Sequence, residues 1–123
     1  MLATDDLSLG SRIAVNTAVA EGRARLCTIS LWEIALLVSR DRLRLGKPTA
    51  QWIEESLIDP GPAIEPLSAA IAIAAGQLPG GFRSDPADQI IVATARVTGA
   101  SLMTRDRRIL DYAKAGYLNG IAA

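Results

Sequence analysis

The stretch DPADQIIVATA (residues 85–95), followed by LMTRD (residues 102–106), decides the fold of this chain. Asp85 and Pro86 are typical of a helix start, and the apolar run after them predicts a largely buried helix that stops at Gly99. Residues 101–104 predict a short strand, and Asp106 follows that strand almost directly. A helix, a strand and an acid in this order are typical of an α/β protein.

The rest of the chain continues the alternation of helices and strands. Helices are predicted over residues 8–22, 30–40, 48–59, 68–78, 86–97 and 107–115. Strands are predicted over residues 25–29, 63–67 and 101–104, and the tail over residues 117–123 is compatible with an edge strand. This alternation predicts a parallel sheet with helices on both faces. The helix over residues 30–40 is apolar almost all round, so we expect it, and Trp32 within it, to be buried.

The composition limits the chemistry to carboxylates, hydroxyls, lysines and arginines. The chain has 123 residues, half of them apolar, which predicts a single domain over residues 1–123. It contains no histidine and one cysteine, Cys27, which excludes histidine bases, disulfides within the chain and Cys-rich metal sites. A metal held by carboxylates is therefore the main catalytic option.

The charge and hydropathy patterns narrow the class of protein further. Thirteen basic and thirteen acidic residues give a net charge of zero, which argues against nucleic-acid binding by bulk charge but allows a local basic patch. No apolar run approaches the ~20 residues of a membrane span. The first residues also lack a basic start followed by an apolar stretch, so we expect a cytoplasmic protein without a membrane anchor.

Three acids stand in otherwise apolar surroundings where a strand gives way to a helix: Glu33, Asp88 and Asp106. In an open parallel sheet such points lie along the carboxyl edge, where ligands bind. Carboxylates gathered there would repel one another by about 4 kcal/mol per pair at ~4 Å and an effective dielectric of ~20. A divalent cation removes that repulsion, and oxygen-only ligands favour Mg²⁺ or Mn²⁺ over zinc. Such ions assist phosphoryl chemistry by activating water.

Each acid also has a purely structural interpretation. Ser30 and Glu33 have the spacing of a capping box, Asp85 and Asp88 that of a capped first turn, and Asp106 that of a cap for the last helix. Taken singly, these acids favour the structural interpretation. Taken together at one predicted sheet edge, they favour the metal site.

Three blocks of the sequence resemble the PIN-domain family, and in particular the VapC-type toxins of bacterial toxin–antitoxin pairs. The blocks are TISLWEIA (residues 28–35), DPADQIIVATA (residues 85–95) and LMTRD (residues 102–106), and the similarity runs from about residue 7 to about residue 112. The resemblance implies a Rossmann-like, three-layer α/β domain with a parallel sheet. It implies a Mg²⁺- or Mn²⁺-dependent ribonuclease that hydrolyses phosphodiester bonds in RNA. It also implies inhibition by a small cognate antitoxin and a tendency to form homodimers.

The resemblance assigns roles to individual residues. Glu33, Asp88 and Asp106 match the second, third and fourth acids of the family, which hold the metal and are catalytic. Thr104 matches a hydroxyl position beside the last acid. Asp85 belongs to the DPxD start and is interpreted as a supporting cap.

The beginning of the chain departs from the family pattern. Family members open with a central strand that ends in an aspartate, whereas MLATDDLS (residues 1–8) aligns with the turn after that strand. The N-terminal central strand and its acid are therefore expected to be missing, and Asp5 and Asp6 are poor replacements for that acid. A start codon further upstream and a true truncation both explain this departure. On either explanation we expect the 123-residue chain to be poorly stable and weakly active or inactive.

Two other functions remain open at the level of the sequence. A catalytically inactive PIN-type module could still bind an antitoxin or another partner. A receiver-like phosphotransfer domain also gathers acids at a sheet edge, but it needs a partnering lysine after a strand, and neither Lys47 nor Lys114 lies there.

Two basic stretches could bind RNA. Arg105, Arg107 and Arg108 flank Asp106 and either hold RNA phosphates or pair with nearby acids such as Asp111. The second stretch is either a strip that tracks RNA or a solvated loop. It contains Arg40, Arg42, Arg44 and Lys47.

Overall fold

The structure is a computed structural model that describes residues 9–58 and 60–123. The chain forms two compact units, one that reaches to Pro66 and one from Leu67 to Ala123. The first eight residues, including Asp5 and Asp6, lie outside the described residues, and so does the expectation of a missing strand there.

The first unit contains three helices and two strands within its described part. In chain order they are α1 (Leu9–Ala20), β1 (Arg25–Cys27), α2 (Thr28–Ser39), α3 (Thr49–Ser56) and β2 (Ala63–Glu65). The strands β1 and β2 pair in parallel, with Arg25 opposite Ala63 and Cys27 opposite Glu65. An ion pair of 2.5 Å between the Arg25 guanidinium and the Glu65 carboxylate joins the two strands. The Thr28 hydroxyl donates to the Glu65 carbonyl at 3.1 Å, which ties the start of α2 to β2.

The second unit contains three helices, a 3-10 turn and two strands. In chain order they are α4 (Ala69–Gly76), the turn Pro79–Gly81, α5 (Pro86–Thr98), β3 (Leu102–Thr104), α6 (Arg107–Lys114) and β4 (Gly120–Ala122). The strands β3 and β4 also pair in parallel. Two buried clusters form the core, one between α4 and α5 and one between α5 and α6. Their members are Ile71, Ala75 and Ala93 in the first, and Val92, Ile109 and Tyr112 in the second.

The predicted order of elements is confirmed, including the strand in the tail. The described residues form two parallel pairs of strands, so the α/β class and the parallel pairing are as predicted. The capping box over residues 30–33 is wrong. The ladder of β1 ends at Cys27 and α2 begins at once with Thr28, so Ser30 already lies inside the helix.

The expectation that α2 is buried is also wrong. Among its residues only Ile34 is buried, and the Trp32 side chain is 55% exposed. A helix that is apolar all round needs neighbours on every side, and the described elements of the first unit do not supply them. Nowhere in the described ranges is a helix long and apolar enough to cross a membrane.

Candidate functional site

The N-terminus of α5 is built by local hydrogen bonds and brings Asp88 into the first turn. The Asp85 carboxylate accepts a hydrogen bond of 2.9 Å from the backbone N–H of Asp88, and Pro86 occupies the first helical position. This arrangement satisfies one of the unpaired N–H groups that every helix start leaves. The predicted role of Asp85 as a cap is therefore confirmed.

Asp88 is held in place by a residue that the sequence analysis missed. The Ser84 hydroxyl donates to Oδ2 of Asp88 at 2.8 Å, and both side chains are half-buried. Ser84 lies just before the helix, four residues ahead of Asp88. In the sequence, the only sign of this contact is a hydroxyl residue four positions before an acid. The capping pattern of Asp85 at the same helix start is a stronger signal.

The surroundings of Asp88 disfavour its negative charge. Burial raises the pKa of the Asp88 carboxyl above its usual value, and the nearby charges of Asp85 and Asp106 act in the same direction. The hydrogen bond from Ser84 opposes them and lowers the pKa. The charges of Asp85 and Asp106 therefore act on Asp88, and positive charge bound beside Asp88 would favour its ionised form.

Asp106 links the end of β3 to the start of α6. Its Oδ1 accepts hydrogen bonds from the backbone N–H groups of Arg108 at 2.8 Å and Ile109 at 3.3 Å, so it caps α6 as the structural interpretation predicts. Its own backbone N–H donates to the Thr104 hydroxyl at 3.0 Å. Thr104 thus fixes the backbone at the acid, and the carboxylate stays close enough to Asp88 to affect its pKa.

An aromatic cluster holds the loop that leads into α5. The Tyr112 hydroxyl donates to the Pro79 carbonyl at 2.5 Å, and the rings of Tyr112 and Tyr117 stack with centroids 4.5 Å apart. Phe82 packs against Tyr112 with centroids 4.8 Å apart. Gly80 has a φ of 74°, and a Cβ at that position would lie 2.5 Å from the Tyr117 ring. The loop therefore has one well-packed path to Ser84 and Asp85.

Glu33 lies half-buried on α2, in the first unit, while Asp88 and Asp106 lie in the second. Within the described ranges, no three acidic or cysteine side chains form a group that could hold a metal ion. The convergence of Glu33, Asp88 and Asp106 thus stays a prediction. The donor chemistry at Asp88 and Asp106 does fit a hard divalent cation, because both offer carboxylate oxygens.

The arginines around Asp106 are exposed to solvent. They are Arg105, Arg107 and Arg108. Arg108 lies 3.5 Å from the Arg83 carbonyl through one guanidinium nitrogen. None of the ion pairs between described residues includes these three arginines or Asp111. The structural alternative of pairing with Asp106 or Asp111 therefore has no support in this part of the chain.

Comparison of the sequence with known proteins finds one matching protein family and a similar ribonuclease. The family model of the PIN domain matches residues 4–115. Ribonuclease VapC22 of Mycobacterium tuberculosis (strain ATCC 25618 / H37Rv) is 39% identical over 90 residues, which cover 71% of this chain and 65% of that relative. The match thus spans slightly less than two thirds of the relative's length.

Proposed function

The chain belongs to the PIN-domain family, and from that premise we propose that it is a metal-dependent ribonuclease, the toxin of a toxin–antitoxin pair. In the proposed reaction a water oxygen bonds to the phosphorus of an RNA phosphodiester. The bond from phosphorus to one ribose oxygen breaks, and that oxygen takes up a proton. The similarity to a protein named as a ribonuclease supports this activity. The observation that carries the proposal is the placement of Asp88 and Asp106 at the starts of α5 and α6, close enough that the charge of Asp106 acts on Asp88.

The acids would bind the cofactor, and their neighbours would keep them in position. Asp88 and Asp106 are the proposed ligands in the second unit, and Glu33 is the proposed third ligand. When bound, Mg²⁺ or Mn²⁺ supplies the positive charge that acidifies a water and stabilises the leaving oxygen. Ser84 orients Asp88 through its 2.8 Å hydrogen bond. Thr104 fixes the backbone of Asp106.

RNA is the proposed substrate, and the exposed Arg105, Arg107 and Arg108 are proposed to bind its phosphates. An RNA substrate also favours the cytoplasmic location that the sequence predicts. A cognate antitoxin and a second copy of the chain are the proposed protein partners. Exposed apolar side chains of the first unit support a protein partner there, because such groups are often covered at interfaces. They are Leu9, Ile13, Trp32, Ile58 and Ile64.

The test is cleavage of a labelled single-stranded RNA by the purified chain in the presence of Mn²⁺, with and without a chelator. Asp88→Asn and Asp106→Asn should each lower the rate by at least about 100-fold, because loss of an outer partner of a metal alone costs about 10–100-fold. Asparagine caps a helix as well as aspartate, so Asp106→Asn preserves the start of α6. Asp111→Asn, an exposed acid of the same helix, is the matched control and should cleave at the unchanged rate.

Two outcomes would overturn the proposed ribonuclease activity. One is a rate that the chelator does not change, and the other is an Asp88→Asn variant as active as the unmodified chain. Glu33→Gln tests the third proposed ligand in the same assay.

The inactive module that binds an antitoxin is the second candidate. The exposed apolar side chains of the first unit favour it, because a binding module needs an uncovered surface. Mn²⁺ titration separates the two functions, because a nuclease site should raise the melting temperature with Mn²⁺ and lose this effect in Asp88→Asn. The inactive module should show no stabilisation by Mn²⁺, and Glu33→Gln should leave it unchanged.

A further inference from the structure

The loop between α2 and α3 carries a row of exposed arginines. Arg40, Arg42 and Arg44 are exposed, whereas Leu43 and Leu45 are half-buried. Burial therefore alternates along residues 42–45, with leucines half-buried and arginines exposed. We name Arg40, Arg42 and Arg44 the arginine strip.

The start of the loop is fixed by backbone hydrogen bonds at the end of α2. The N–H of Asp41 donates to the Val38 carbonyl at 3.1 Å, and the N–H of Arg42 donates to the Leu37 carbonyl at 2.9 Å. This is the Schellman pattern, in which the residue after the helix adopts the left-handed conformation. Asp41 has that conformation, with a φ of 55°. Arg42 consequently leaves the helix in a fixed direction.

The charges of the arginine strip have no partner in the described ranges. The ion pairs there join Arg23 to Glu21, Arg25 to Glu65 and Lys47 to Glu55. Lys47, which the sequence groups with the strip, is therefore already neutralised by Glu55 at 2.5 Å. Asp41 is the only acid within residues 40–47. In a chain with no net charge, the loop is a local excess of positive charge.

The strip offers charge but little apolar surface. None of the loop residues 40–47 is a large exposed apolar side chain. A protein interface has an apolar centre surrounded by a polar rim, and this loop lacks such a centre. A polyanionic backbone needs only the charges, and a guanidinium binds phosphate through two hydrogen bonds. These features favour a nucleic acid over a protein.

We propose that Arg40, Arg42 and Arg44 bind the backbone phosphates of single-stranded RNA, independently of its sequence. The inference rests on the proposed ribonuclease function, because that function supplies RNA as the polyanion. It adds a binding surface on the first unit that none of the family's acids contributes to. The strip holds substrate and takes no part in the chemistry.

The test measures RNA binding in the absence of cleavage, with the full chain carrying Asp88→Asn. A labelled oligouridylate is titrated by fluorescence anisotropy at several salt concentrations. Each phosphate contact in a single strand contributes about 0.7 to the slope of log K against log salt. The double variant Arg42→Ala/Arg44→Ala should therefore reduce the slope by about 1.4 and weaken binding at low salt. Arg42→Lys/Arg44→Lys should retain most of the slope, because it keeps both charges.

Asp41→Asn is expected to change RNA affinity in the opposite direction to the arginine variants. Asparagine tolerates the left-handed conformation, so the variant removes a negative charge and preserves the turn. It should bind oligouridylate more tightly than its parent. The control is Lys114→Ala, which removes one exposed charge outside the strip and should leave the slope unchanged. Melting temperatures of all variants should agree closely, because the changed side chains are exposed.

Three results would overturn the strip: no RNA binding by the parent, an unchanged slope in Arg42→Ala/Arg44→Ala, or an equal loss in the control. Tighter binding of polyglutamate than of oligouridylate at the strip would assign it to an acidic protein and also overturn the proposal.

The two proposals fail separately. If the unmodified chain cleaves RNA but the strip variants bind normally, only the strip is wrong. If the slope falls as expected but Mn²⁺ supports no cleavage, only the nuclease is wrong.

Discussion

Two helices, α2 and α5, differ in burial in the opposite sense to their composition: α2 is the more apolar of the two and the more exposed. α5 has a capped start and a turn at residues 92–95 that is buried all round, with Val92 and Ala93 fully buried. α2 buries only Ile34 and exposes Trp32. Helices α4 and α6 cover α5, whereas α2 has β1 and α3 as neighbours in its unit. The difference shows that neighbouring elements decide burial, and composition alone does not.

Truncation of one side chain in each helix tests this comparison most strongly. Val92→Ala should lower the free energy of unfolding by about 2 kcal/mol, because it removes methyl groups from a closely packed core and leaves a cavity. Trp32→Ala removes a larger side chain but should cost less than about 1 kcal/mol, because Trp32 is 55% exposed. Urea unfolding followed by circular dichroism measures both values. A larger loss for Trp32→Ala would show that α2 is packed in solution.

Two glycines with similar backbone angles extend the comparison to the loops. Gly80 has a φ of 74° and a Cβ position that clashes with Tyr117, while Gly46 in the first unit also has a φ of 74° but open space around it. Gly80→Ala should cost about 2 kcal/mol or more, from strain and overpacking together. Gly46→Ala should cost about 1 kcal/mol, from strain alone. Equal melting temperatures for the two variants would contradict the packed loop before α5.

Removal of the Ser84 hydroxyl tests whether the start of α5 is organised for a metal. Ser84→Ala should raise the Mn²⁺ concentration needed for half-maximal thermal stabilisation about tenfold. Loss of a side chain that hydrogen-bonds to a metal ligand typically weakens metal binding by that amount. Stability without metal should change by less than about 1 kcal/mol. Ser84→Thr should restore the affinity. The control is Ser39→Ala on α2, whose hydroxyl donates to the Leu36 carbonyl at 2.9 Å.

Ser39→Ala should leave Mn²⁺ binding unchanged. If Ser84→Ala leaves it unchanged as well, the hydroxyl has no positioning role.

The smallest expected effect is a pH dependence of stability that comes from Asp88. Because the pKa of Asp88 is raised in the folded chain, the fold binds this proton more tightly than the unfolded chain does. Without metal, the contribution of Asp88 to stability should fall as the pH rises from the usual carboxyl pKa through the raised one. Asp88→Asn should gain stability relative to its parent over the same window. Thermal unfolding across that pH range would contradict this if the difference between the two proteins stayed constant.

Much of the local structure could be predicted from the sequence, because it depends on nearby residues. The caps at Asp85 and Asp106 follow from hydrogen bonds to N–H groups two or three residues away. The stop of α5 at Gly99 follows from its left-handed backbone, with a φ of 72°. The blocks around these acids also sufficed to identify the PIN-domain family.

Only the tertiary structure decided what distant parts of the chain do to one another. It placed Asp106 close enough to Asp88 to raise its pKa, locked the loop at Pro79 with Tyr112, and left Trp32 exposed. It also neutralised Lys47 with Glu55 and left the arginine strip without a described partner. A sequence encodes its own hydrogen-bonding and hydropathy patterns directly. Burial and charge coupling depend on distances through space, which the folded chain alone determines.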